Sequence, residues 1–285
     1  MNHKRRYSNW FMVPAMAVFT VFFLIPIVIS LFFSVTVWNF DSFTFCGLDN
    51  FKTFFSDESL YSSIINTMIY AILTCVLKLV LAFFLAVFLT SKIKTKNFLR
   101  SVVFFPNLIS TVAVGITFSA LMHPTKGLIN QVITSFGGTS VDWLGNTDIA
   151  LYSVILTDVW KGVGVATVIF IAGMQSIDKT FYEAASIDGA SAWQRLKAIT
   201  VPLSRPAMNS VIILSFIGGL RTFDLIWAMT GGGPGYATEV MASTVYKQYA
   251  AGYYGLSTAG NVIMFVLIAL MAFPLQKFLL SKEVD

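Results

Sequence analysis

Six apolar runs divide the chain, each near or beyond the ~20 residues that a bilayer-spanning helix needs. They are Trp10–Val37, Ile64–Thr90, Phe98–Leu121, Ile149–Met174, Ala207–Met229 and Thr258–Leu280. The pattern predicts an all-α, polytopic membrane protein with six transmembrane helices. Composition points the same way. Of the 285 residues, 56% are hydrophobic and 12% charged, where a soluble domain carries about 25% charged residues. The first run follows a basic segment, Met1–Tyr7. It is longer than the roughly 7–15 apolar residues of a signal peptide and lacks a small-residue cleavage site, so it reads as a retained span.

Lysine and arginine are unevenly shared between the two sides. The N-terminus holds Lys4, Arg5 and Arg6, and the interval after the second run holds Lys92, Lys94, Lys96 and Arg100. Lys179, Arg195, Lys197 and Arg205 precede the fifth run, and Lys277 and Lys282 close the chain. The opposite intervals carry Lys52, Lys126 and Lys247, one apiece. Basic residues stay on the cytoplasmic side, so both termini are expected there. This placement also argues against nucleic acid as the partner of the net charge of +5. Cys46 and Cys75 lie far apart and form no disulfide framework, and two histidines, His3 and His123, make a histidine metal site improbable.

Of the outer intervals, Asn39–Ser63 is acidic and aromatic, and Met122–Asp148 reads as an interfacial excursion. The third opens with Thr230-Gly231-Gly232-Gly233-Pro234-Gly235. Without a following Gly-Lys-Ser/Thr it is no phosphate cradle. Glycine there ends a helix and proline keeps it from restarting. Three basic residues fall well inside spans: Lys78, Lys161 and Arg221. Each costs roughly 2.5–3.5 kcal/mol at the centre of an isolated helix. Asp158 and Lys161, three apart on one helix face, are placed to neutralise each other, and Arg221 and Asp224 repeat the spacing.

The most amphipathic interval is 181–206, FYEAASIDGASAWQRLKAITVPLSRP. Ala184, Ala185, Ile187, Trp193, Leu196 and Ile199 recur at helical spacing, which predicts two short helices joined at Asp188-Gly189 and stopped by Pro202. Glu183-Ala184-Ala185, Gly189 after three residues, and Ile199-Thr200-Val201-Pro202 after nine more resemble the EAA loop of ABC importer permeases. Val201 in place of leucine is the one departure. Phe223-Asp224, then Thr230-Gly231-Gly232-Gly233-Pro234 with Thr238, is similar to the hallmark of the carbohydrate branch of that family. The likeness extends to Phe98-Leu99-Arg100, Phe105-Pro106 and Asp158-Val159-Trp160-Lys161-Gly162.

The resemblance implies a type I ABC importer permease fold, residues 1–60 forming the first helix and outer loop and 61–285 a five-helix core with its coupling loop at about 175–206. It further implies ATPase coupling through Glu183, Ala184, Ala185, Asp188 and Gly189. Sugar contacts carry over to Asn107, Thr111, Asp158, Lys161, Gly162, Ser215, Gly219 and Thr222. The implied partners are a second, homologous permease subunit, two ATPase subunits that bind ATP and magnesium, an external solute-binding protein, a carbohydrate and the lipid bilayer. The chain itself is expected to bind no cofactor and catalyse no reaction, in a bacterial or archaeal cell membrane. An ion-gradient-driven secondary transporter is the alternative, but no inverted repeat supports it, and an intramembrane enzyme lacks a catalytic motif.

Overall fold

A computed structural model describes residues 9–39, 41–91 and 93–281; Lys4, Arg5, Arg6, Lys92 and Lys282, used above for orientation, lie outside them. The described chain runs α1 (Trp10–Ser34), β1 (Thr36–Trp38), β2 (Phe43–Phe45), α2 (Asp49–Ser56), α3 (Glu58–Thr90), α4 (Lys96–Leu108) and α5 (Thr111–Leu121). It continues with α6 (Leu128–Ser135), α7 (Ala150–Gln175), α8 (Lys179–Ile187), α9 (Ala192–Leu203), α10 (Arg205–Leu220), α11 (Asp224–Met229), α12 (Met241–Ala250) and α13 (Tyr254–Ser281). α1, α3, α7 and α13 are each long and apolar enough to cross a membrane, and the spans number six if α4 with α5 and α9 with α10 count as one bent span each.

The bends revise the six uninterrupted runs. The third run breaks between α4 and α5, whose axes differ by 96°. Pro106 supplies no N–H to the carbonyl four residues earlier, the last turn of α4 tightens over Phe105–Leu108, and Ile109 and Ser110 are extended with ψ of 140° and 135°. The fifth run ends early: α10 stops at Leu220, and the rest of it forms the separate α11. Towards its start, α10 continues back into α9 through a 64° bend. Pro202 therefore does not end the second amphipathic helix. A wide turn over Leu196–Thr200 absorbs it, and the helix ends at Leu203. Of the outer intervals, 39–63 holds part of the β1–β2 hairpin, α2 and the start of α3, and the interval after α11 contains α12.

The chain divides into two compact units. In the first, residues 1–58 and 244–266, the antiparallel hairpin pairs Thr36 with Phe45 and Trp38 with Phe43. Asn50 Nδ2 donates to the carbonyls of Ser34 (2.9 Å) and Thr36 (2.8 Å), tying α2 to the end of α1. Phe54 is fully buried against Gly260, where no side chain fits.

The second unit, residues 59–243 and 267–285, has a layered core. One layer joins Tyr70, Val114, Val154, Ile155, Leu225 and Ile226, so α11 is packed among α3, α5 and α7. Another joins Ala82, Ala86, Ala166, Phe170, Ala207 and Val211 of α3, α7 and α10. Lipid supplies no hydrophobic drive between helices, so close approach of small residues does much of the packing. Gly164 is one such case: a Cβ there would run into the Val103 carbonyl oxygen and lie 2.9 Å from Phe104 Cα. Gly164→Ala should lower the thermal midpoint of the purified protein by the equivalent of about 1–3 kcal/mol, the usual cost of overpacking. Gly218→Ala, with no described residue outside its own helix turn within 4 Å of its Cβ, should leave the midpoint in place; equal midpoints for both would mean that α4 and α7 are not in tight contact.

Candidate functional site

Tyr70, Thr74 and Lys78 recur every four residues and so share one face of α3. Lys78 crosses to α7 and pairs with Asp158, Nζ to Oδ2 2.7 Å, with 13% and 22% of the two side chains exposed. The sequence had assigned Asp158 to Lys161. Lys161 is half-buried but does not pair with Asp158. The reason is steric as much as electrostatic. Gly162 has no side chain, and the space its Cβ would fill is taken by Lys78, with Cε 2.8 Å and Nζ 2.9 Å from that point. The pair brings two opposite charges into the bundle as one neutral unit, and α7's own lysine is left to other surroundings. Arg221 and Asp224 likewise form no pair along one helix, because the chain unwinds between α10 and α11.

Beside this pair lies a pocket of about 210 Å³ lined by Lys78, Asn107, Gly162 and Ser215, with Ala166 and Leu214 among its apolar wall. Three of the eight sugar-contact candidates, Asn107, Gly162 and Ser215, thus meet in one place, with Asp158 held at its edge through Lys78. Asn107 is presented by the tight last turn of α4, directly before the break. Thr111, at the start of α5, and Lys161 do not line this pocket. Gly219 is buried where α10 meets α3: a Cβ would stand 2.6 Å from Ala71 Cα, so this glycine serves packing. Thr222 is half-buried in the linker to α11. It lies near the buried Tyr70 hydroxyl, as does Asp158, yet that hydroxyl meets hydrogen-bond geometry with neither. Lys78, noted in the sequence as a charge within a span, was not among the sugar-contact candidates, and Tyr70 was not singled out at all. Their signal was the polar stripe at four-residue spacing within an otherwise apolar run.

On the outer side, Thr230 Oγ1 bonds Thr238 Oγ1 (2.7 Å) and Thr238 Oγ1 donates to the Gly233 carbonyl (2.7 Å). This closes the glycine-rich turn on itself, and Gly231, Gly232 and Gly235 all have positive φ. Asn66 Nδ2 anchors the following segment to α3 through the carbonyls of Tyr236 and Glu239. The glycines here end a helix and reverse the chain.

The amphipathic interval forms a clasped helix pair. Asp178 caps α8, accepting from the Thr180 N–H at 2.9 Å, and these hydrogen bonds hold its carboxyl below the usual range. α8 ends in a motif with Ala190 N donating to Ala185 O (2.9 Å) and Gly189 N to Ser186 O (3.2 Å). Gly189 takes φ +75°, a left-handed conformation that favours glycine. Ser191 and Gln194 then form a reciprocal capping box that starts α9. Arg195 Nη1 donates to Ser186 Oγ (2.9 Å), and the Tyr182 and Thr200 hydroxyls bond at 3.0 Å, so α8 and α9 are locked side to side. Of the apolar positions read from the sequence, Ala185, Leu196 and Ile199 turn partly inward, while Ile187 and Trp193 remain 87% and 68% exposed. Glu183, Ala184, Asp188 and Gly189 are exposed beside them. The loop thus offers a rigid, two-helix surface of apolar and acidic groups.

Comparison with known proteins gives a consistent result. The sequence model of the family described as "Binding-protein-dependent transport system inner membrane component" matches residues 78–282. The trehalose/maltose transport system permease protein MalF of Thermococcus litoralis is 33% identical over 258 residues, covering 90% of this chain and 88% of that protein. The multiple sugar-binding transport system permease protein MsmF of Streptococcus mutans is 31% identical, covering 94% of this chain and 93% of that one. The crystal structure of a bacterial ABC transporter involved in importing the acidic polysaccharide alginate contains a chain of the same fold, with a TM-score of 0.83, 21% identity and coverage of 95% and 94%.

Removing one partner of a half-buried ion pair strands the other charge, at a cost of about 3–5 kcal/mol when the pair is fully buried. Lys78→Met and Asp158→Asn should each lower the thermal midpoint more than the double variant does. A double variant that loses as much as the sum of the singles would show that the two charges act independently.

Proposed function

The chain belongs to the binding-protein-dependent transport system inner membrane components, and from that premise we propose that it is the pore-forming permease subunit of an ATP-driven sugar importer. It supplies half of the translocation pathway. A second permease supplies the other half, two ATPase subunits bind ATP and magnesium on the cytoplasmic side, and an external binding protein delivers the sugar. The observation that carries this reading is the clasped pair α8–α9, whose second helix runs through a single bend into α10. Closure of the ATPases pushes on α8, the clasp transmits the push to α9, and α10 with the Ser215 wall of the pocket turns with it. This gives the acidic and apolar surface at Glu183, Ala184, Ala185, Asp188 and Gly189 a docking role that an ion-gradient-driven transporter leaves without purpose.

The sugar pathway passes Asn107, Gly162 and Ser215, the candidates that share the pocket. Each sugar hydroxyl stripped of water needs a replacement partner, and the Asn107 amide, the Ser215 hydroxyl and the Lys78–Asp158 pair supply donors and acceptors together. Because Lys78 neutralises Asp158, Lys161 is the charge on α7 that the pair leaves out. Lys161 does not line this pocket but adjoins Gly162 in the chain, and a lysine there without an ion pair among the described residues favours a sugar with an anionic group. Uptake of uronate-bearing oligosaccharides should exceed that of neutral ones in cells expressing the transporter; equal uptake, or preference for the neutral set, removes the charge reading and leaves the sugar reading in place.

Docking is tested at Gly189. Among the described residues, its chain neighbours apart, nothing lies within 4 Å of where its Cβ would be, so a larger residue meets only the left-handed backbone penalty, about 1–2 kcal/mol. Gly189→Asn, a residue that tolerates this conformation, should co-purify ATPase at near-normal levels. Gly189→Arg should lose the ATPase while the permease itself stays folded. Retention of the ATPase and of transport by the arginine variant would overturn docking through this loop.

A further inference from the structure

We propose that a second cavity, behind the clasped helices, is a phosphate-group site filled by the headgroup of an anionic phospholipid or by a soluble phosphate. It measures about 690 Å³ and lies among the end of α3, the start of α4, the end of α7 and the inner faces of α8 and α9. Lys96, Arg100 and Lys179 all line it, and no carboxylate does among the described residues. Three cations sharing one cavity repel one another unless an anion joins them. The Arg100 guanidinium carries the clearest sign of a missing acceptor. Its Nη2 donates to the Leu89 carbonyl at 3.0 Å, but its Nε is buried with no partner among the described residues. A buried donor left unmade is costly, and the guanidinium fork matches a phosphate's oxygens. Thr90, whose hydroxyl donates to the Ala86 carbonyl at 2.8 Å, and Tyr182, bonded to Thr200, complete the polar wall.

The setting favours a lipid. The cavity opens where two membrane-spanning helices end, which is the level of headgroups, and Val87 and Met174 give it an apolar side towards the bundle. Basic pockets between helix ends on the cytoplasmic side suit anionic headgroups, at about 1 kcal/mol or fivefold in affinity for each Lys or Arg. The site uses only this chain's residues, so it stands or falls separately from the docking of an ATPase.

The test is native mass spectrometry of the full-length chain, purified from its membrane and exposed to phosphatidylglycerol or phosphatidylcholine. Lys96→Gln/Lys179→Gln changes side chains at the cavity rim, and Arg100→Gln removes the fork. The expected result is retention of phosphatidylglycerol over phosphatidylcholine, weakened about fivefold for each charge removed. Excess inorganic phosphate separates the sources: phosphatidylglycerol that stays bound identifies the lipid, and its replacement by phosphate identifies the soluble anion. Equal retention of the two lipids, or unchanged retention in the folded rim variant, overturns the proposal.

Discussion

A bilayer supplies no water to the backbone, so a helix inside it stops only where other protein groups, or a water-lined cavity, take over its loose N–H and C=O groups. The pocket described here depends on that constraint. The chain breaks between α4 and α5 and again between α10 and α11; Pro106 and Leu220 just before the breaks are buried, while Ser110 and Arg221 within them are exposed. Thr222 N donates back to Gly219 O at 3.2 Å, and Ile109 N to Pro106 O at 3.3 Å. α11 and α5 cross closely enough that a Cβ on Gly115 would stand 2.6 Å from Ala228 Cβ. The breaks turn Asn107 and the linker at Thr222 away from regular helix, where side chains and backbone gain directions that an unbroken span does not offer.

The Lys78–Asp158 pair is the electrostatic counterpart of those breaks. A charge in the bundle must be neutralised or hydrated, and here a lysine on one helix is threaded over a glycine on the next to reach its carboxylate. Neither residue explains the other from its own helix. Gly162 reads as a small residue in a packed span until the Lys78 stem is placed over it.

Much of the fold was legible because hydrophobic periodicity is a local property. The long helices α1, α3, α7 and α13 fall within a few residues of the apolar runs that forecast them. The amphipathic interval yielded its two helices and its Gly189 junction for the same reason, since caps and left-handed glycine are written in neighbouring residues. The failures came from longer range. An apolar run does not reveal that Pro106 will break it, nor that the residues beyond Leu220 will leave their helix to pack against α5. Partner choice was illegible too: Lys161 is close to Asp158 in sequence, but Lys78, eighty residues away, holds the better position. Of the sugar-contact candidates, Asn107, Gly162 and Ser215 converge, whereas Gly219 is spent on helix contact with Ala71.

The continuity of α9 into α10 has a mechanical consequence. α9 holds the residues Ala192–Leu203, and at about 1.5 Å per residue it is a stiff arm roughly 18 Å long. Its fulcrum is the single non-helical residue Ser204, whose amide and hydroxyl are both tied back into the last turn. An arm of that length, swung through about ten degrees, moves its far tip by roughly 3 Å. Such a stroke is smaller than one helical turn and larger than the slack in a packed interface. In the proposed importer, a joint tied in this way carries a short displacement of α9 into a rotation of α10.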